Sequence, residues 1–179
     1  MRISSTEARE RGYDPAEIAR IEQDEEGRRE ADALRKLVDQ TFASIPKPTT
    51  TLRVARALDD EWNISTARAT ELALQDPEID WREVSKEKTE TYQEYFTFSD
   101  PAGWRFYLPA YMSHYLAEFP GYGYDAVYWA CTDQKNAGDL TKAELAVVDQ
   151  FLELCHRYEQ HQPITVDRVL AQPHPTPKA

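Results

Sequence analysis

Phe96-Thr-Phe-Ser-Asp-Pro-Ala-Gly-Trp-Arg-Phe-Tyr-Leu-Pro-Ala-Tyr-Met-Ser-His-Tyr-Leu-Ala-Glu-Phe119 is the stretch on which the fold turns. At 100° per residue, Trp104, Tyr107, Leu108, Tyr111, Met112, Tyr115 and Phe119 share one helical face. Arg105, Phe106, Ser113 and Ala117 lie away from its centre. Asp100-Pro101 marks the start: a carboxylate to cap free N–H groups, then a proline suited to the first turn. Pro109 falls inside the pattern, so the spacing predicts either a kinked helix or a junction between two. Residues 92–129 hold 14 of the chain's 20 aromatics, and Arg105 is the one Lys or Arg among them. That concentration places the centre of the core.

Helical periods dominate on both sides of this run. Asp14-Pro15-Ala16-Glu17 has the residues of a helix start. Ala31, Leu34, Leu37, Val38 and Phe42 then repeat at helical spacing until Ile45-Pro46-Lys47-Pro48 stops the helix. Thr51 precedes a second stripe, Leu52, Ala55, Leu58 and Trp62. Asp59-Asp60-Glu61 sits at the wrong end of that helix for its macrodipole, a local inconsistency of the kind found at functional sites. Ile64 to Leu74 reads as a short helix ended near Asp76-Pro77. Asp80-Trp81-Arg82-Glu83 has capping-box spacing, and Ser85 is a competing cap for a helix over about 86–95. Alternation near 95–98 admits a short strand.

After the central run, Pro120-Gly121-Tyr122-Gly123-Tyr124-Asp125 reads as a turn, Val127, Tyr128 and Cys131 as a short apolar segment, and Asn136-Ala-Gly138 as loop. Thr141-Lys-Ala-Glu144 is a capping box opening a helix that buries Leu145, Val148, Leu152 and Cys155. The expected fold class is all-α, an irregular domain of about six helices over residues 31–158. A charged helix or arm spans 1–30, and 159–179 form a tail with a disordered, proline-rich end.

Composition narrows the function classes. The net charge is −11, and residues 59–100 alone carry 12 acidic against 4 basic side chains. Such a surface repels nucleic-acid phosphate and anionic lipid and attracts a basic protein. No apolar run has the length of a membrane span and the N-terminus lacks a signal-peptide core, so the expected compartment is the cytoplasm. Cys131 and Cys155 are expected as thiols, with Cys155 buried in an apolar helical pattern.

Catalytic patterns are absent from the sequence. Gly121-Tyr-Gly-Tyr lacks the Lys-Ser/Thr of a phosphate loop. His156 and His161 are five apart, which puts them on different helical faces. Glu159 and Gln160 beside them complete no ligand set, His114 and His174 stand apart, and there is no His-Glu-x-x-His or paired Cys-x-x-Cys, so no metal and no cofactor is expected. Cys155-His156 point about 100° apart, and neither Ser99 nor Ser113 has a nucleophile motif around it. The acidic groups Asp59, Asp60, Glu61 and Asp76, Glu78, Asp80 read as solvated faces. Arg105 stands out as the one cation of the aromatic band. It either pairs internally, with Asp100, Asp125 or an acid of 59–94, or anchors an anionic ligand beside Tyr107, Tyr111 and His114.

Thr51-Leu-Arg-Val-Ala-Arg-Ala-Leu-Asp-Asp60, Trp81, Arg105-Phe-Tyr-Leu-Pro-Ala-Tyr-Met112 and the helix from Leu140 to Cys155 together resemble a family of small bacterial proteins classed only as a domain of unknown function. The resemblance covers about residues 34–158. It implies a bacterial, cytosolic, autonomous domain and supplies no catalytic residue, substrate or cofactor. Two readings of function follow. The first is a non-enzymatic interaction module, an inhibitor or immunity-type protein for a basic partner. The alternative is a small-ligand-binding domain or enzyme with an anion pocket at Arg105.

Overall fold

A computed structural model describes residues 3–120, 126–133 and 136–158. The expected turn at 121–125, His161, His174 and the proline-rich tail lie outside the described residues. Within them the chain is all-α, with nine α-helices, two 3₁₀ turns and no strand. The helices are α1 (Ser5–Glu10), α2 (Pro15–Thr41), α3 (Leu52–Glu61), α4 (Thr66–Ala73), α5 (Lys86–Thr91), α6 (Tyr95–Phe98), α7 (Pro101–Ala117), α8 (Ala126–Asp133) and α9 (Lys142–Tyr158). The 3₁₀ turns are Trp81–Glu83 and Ala137–Asp139.

The start signals act as expected. Asp14 accepts from the Ala16 N–H to open α2, and Asp100 accepts from the Gly103 N–H to open α7. Both competing caps after residue 79 are used: Asp80 with Glu83 boxes the 3₁₀ turn, and Ser85 caps α5. The strand admitted near 95–98 is instead the single-turn helix α6. Its aromatics face the core: the Tyr95 ring meets Tyr107 edge-on at 4.6 Å, and Phe96 meets Tyr111 at 4.8 Å. The gain is aromatic packing rather than a ladder partner.

α7 runs unbroken through Pro109. Every residue from Phe106 to Met112 is buried, including Phe106, which helical phasing had set off the inner face. A helix that is apolar all round is one covered all round. α7 packs against α2, α5 and α8 and both 3₁₀ turns, and α2 lies also along α9. The core joins these helices to Leu52 and Ala55 of α3.

The charged N-terminal segment forms α1 and the first half of α2. α1 folds back on α2, with Ala8 fully buried and Ser5 donating from N and Oγ to Glu25 at 3.0 and 2.7 Å. Residue 31 falls inside the continuous α2. Gly27, in the middle of that helix, explains itself by contact. A Cβ there would meet the Tyr158 ring at 3.0 Å and Phe119 at 3.3 Å, so glycine lets α2 approach these rings.

A second, smaller cluster lies between α3 and α4. Val54, Ala57 and Leu72 form it, with Leu58, Ile64, Ala69 and Ala73 packed around them. α3 is therefore the bridge: one face in the main core, the other under α4.

Candidate functional site

The four side chains singled out from the sequence all belong to α7 but do not converge. Arg105 turns to α9. Its Nε donates to Glu144 Oε1 at 3.1 Å and Oε2 at 3.2 Å, and Nη2 donates to Oε1 at 2.9 Å. Glu144 is almost wholly buried. Its Oε2 also accepts from the Thr141 N–H at 2.7 Å, while Thr141 Oγ1 accepts from the Glu144 N–H at 3.2 Å. The capping box is thus also the anion of a forked ion pair. Of the internal partners expected for Arg105, neither Asp100 nor an acid of 59–94 is used; Asp125 lies outside the described residues. The partner is 39 residues away in α9.

Tyr107 is fully buried beside Tyr95 and Phe106. Burial, with the charges of Asp76 and Glu78 added, holds its phenol far above the ordinary range, against a small opposing pull from the Leu52 N–H. Its hydroxyl lies near that N–H but outside hydrogen-bonding geometry. The Tyr111 hydroxyl donates to the Tyr92 carbonyl at 2.5 Å. His114 Nε2 sits 2.8 Å from the Val84 carbonyl. Arg105, Tyr111 and His114 each bond to a different group within the chain, and Tyr107 is held by packing alone.

The acidic groups divide. Asp76 is fully buried and Glu78 nearly so, which corrects their reading as a solvated face. Lys88 is the reason. Its Nζ donates to Asp76 Oδ1 at 3.0 Å and to Glu78 Oε1 at 2.6 Å. Asp76 Oδ2 accepts from the Arg53 N–H at 3.0 Å, so this distant carboxylate caps α3, where Thr51 makes no side-chain cap bond. Lys47 Nζ donates to the Asp76 carbonyl. Desolvation opposes the Lys88 charge, but hydrogen bonds to Glu78 and Asp76 outweigh it and leave its pKa raised. Asp80 is spent locally, on its cap and on Arg82.

Asp59, Asp60 and Glu61 are exposed, as expected of a solvated face. The residue after them is the surprise. Trp62 is not part of the apolar stripe of α3. It is the C-cap, at φ 59° and ψ −36°, and it is 91% exposed. A bulky residue at positive φ is strained, and water contacts nearly all of its ring. The α3–α4 region also exposes Leu74 and, beyond it, Ile79. The sequence clue was the acidic triplet at the unfavourable helix end; the exposure itself had no local signal.

Among the described residues no group of three or more His, Cys, Asp or Glu is arranged to hold a metal ion, and no helix is long and apolar enough to cross a membrane. Residues 30–167 match the model of a family described as a family of unknown function, DUF6714. No curated protein and no solved structure matches the chain.

Proposed function

We propose, on the premise that the chain belongs to this family of unknown function, that it is a non-enzymatic interaction module. Its role is that of an inhibitor or immunity-type protein for a basic partner in the bacterial cytoplasm. The observation that carries the reading is Trp62, 91% exposed at positive φ directly after Asp59, Asp60 and Glu61. Exposed tryptophan is costly in water and over-represented among the residues that carry interface energy. The three carboxylates beside it set the sign of the partner and speed encounter with it. Strain tolerated at a position that contributes nothing to the core fits a residue kept for contact outside the molecule.

The test is recovery of partners from the native host with three baits at rising salt. The baits are the unmodified chain, Trp62→Ala and an Asp59→Asn/Asp60→Asn/Glu61→Gln variant. The expected result is a basic protein held by the unmodified chain, released as salt rises and lost from both variants. Equal recovery by all three baits, or no basic protein at any salt, overturns the reading.

A further inference from the structure

We propose a second binding site, independent of Trp62: a cleft between α2, the Trp81–Glu83 turn and α7 that takes a small phosphate-bearing molecule. The cleft has a volume of about 520 Å³, within the range of roughly 300–1,000 Å³ typical of small-molecule sites. Its wall carries Arg35, Lys36 and Arg82 against one acid, Asp39. In a chain of net charge −11 this is a local reversal of sign.

The state of each cation sharpens the point. Most described arginines and lysines sit in ion pairs. Arg35 and Lys36 are exposed and form no ion pair with another described residue. The one acid in the cleft is already engaged. Arg82 Nε donates to the Asp39 carboxylate and Nη2 to the Asp39 carbonyl at 2.7 Å, with the guanidinium 4.7 Å over the Trp81 ring. Arg82 is thereby held still, and Asp39 is turned from the role of neutralising Arg35 or Lys36. Arg82 is shared between Asp39 and Asp80, so Arg35 and Lys36 are the cations left to meet a phosphate, and the group keeps a net positive charge.

The opposite wall supplies polar groups over an apolar floor. Ser113 and His114 of α7 line the cleft, with Val84 and Ala110 beneath. A carbonyl oxygen only accepts, so the contact between His114 Nε2 and the Val84 carbonyl puts a proton on Nε2. That bond fixes the ring plane. The cleft is larger than one phosphate needs, so the remainder of the ligand packs on the floor. A polymer is disfavoured, because the chain's net charge of −11 repels its other phosphates.

Amide-detected NMR titration of the full chain tests this, with inorganic phosphate, then phenyl phosphate, then sodium chloride at matched ionic strength. Saturable shifts at Arg35–Asp39, Arg82 and His114 are expected, with phenyl phosphate binding about tenfold tighter than phosphate because its ring adds apolar contact. The Arg35→Ala/Lys36→Ala variant, altered only at exposed positions, loses the saturable shifts while melting as the unmodified chain does. Lys36→Ala alone weakens them. Trp62→Ala leaves them intact. Shifts that follow chloride equally, that survive in the double variant, or that map away from this cleft overturn the proposal.

Discussion

The body around α7 and the α3–α4 hairpin are both helical, but they hold together differently. In the body, Phe106, Tyr107, Leu108 and Met112 are fully buried, and helices cover α7 on several sides. In the hairpin the buried cluster is three small or medium side chains, Val54, Ala57 and Leu72. The body's internal ion pair closes a core that already excludes water. The hairpin is fastened by polar groups instead, with Asp76 and Glu78 gathered by Lys88 beneath the start of α3. Apolar area is the term that scales with stability. The comparison therefore makes the hairpin the region free to carry a strained, exposed tryptophan at little cost to the fold.

The largest effect should come from breaking the body. Phe106→Ala is expected to cost about 3–5 kcal/mol, and Leu72→Ala in the hairpin about 2 kcal/mol, because the hairpin site collapses more easily. Urea unfolding at equilibrium measures both; equal losses would remove the distinction between the regions. Hydrogen exchange adds a second view: Leu72→Ala should speed exchange in α4 while leaving α7 protected.

Arg105→Ala leaves the buried Glu144 carboxylate without its ion partner. Arg105 is itself about a third exposed, so the loss should fall short of that for a wholly buried pair, at about 2 kcal/mol. A loss below about 0.5 kcal/mol, the range of ordinary surface changes, would mean that the pair is not structural.

Trp62→Gly should act in the opposite direction. Relieving positive φ at this position is expected to raise stability by about 1 kcal/mol, since glycine adopts it freely. The same change should abolish partner capture. A thermal melt and the bait experiment read the two halves separately, and a destabilised variant would show that the exposed ring packs on something.

The smallest effect is in pH dependence. The Lys88 pKa is raised in the folded state, so its contribution is complete below the ordinary lysine value of about 10.4 and is lost as pH rises through the folded value. Lys88→Arg keeps its charge through that window. Relative to the unmodified chain, the variant should therefore lose less stability between neutral and alkaline pH. Parallel pH profiles would assign the alkaline loss to other groups, among them buried Tyr95 and Tyr107.

Much of the helical framework is legible in the sequence because its signals are local. Asp14, Ser85, Asp100 and the Thr141–Glu144 box each act within one turn of the residues that name them. Three particulars were not legible. Phe106 lies off the main stripe, and only the neighbours of α7 bury it. Asp76 and Glu78 look like any acidic surface run until Lys88, 12 and 10 residues on, reaches back to them. Trp62 continues the period of α3, and a period says which residues share a face but not whether anything covers that face.

By itself the sequence determined the all-α class, the positions of most caps, the aromatic centre and the excess of acid. The tertiary structure decided which charges are buried and paired, which partner Arg105 takes, where two cations gather beside a cleft, and that Trp62 faces water. The division has one physical reason. Capping and periodicity act between residues a few positions apart, whereas burial and ion pairing depend on groups that only folding brings together.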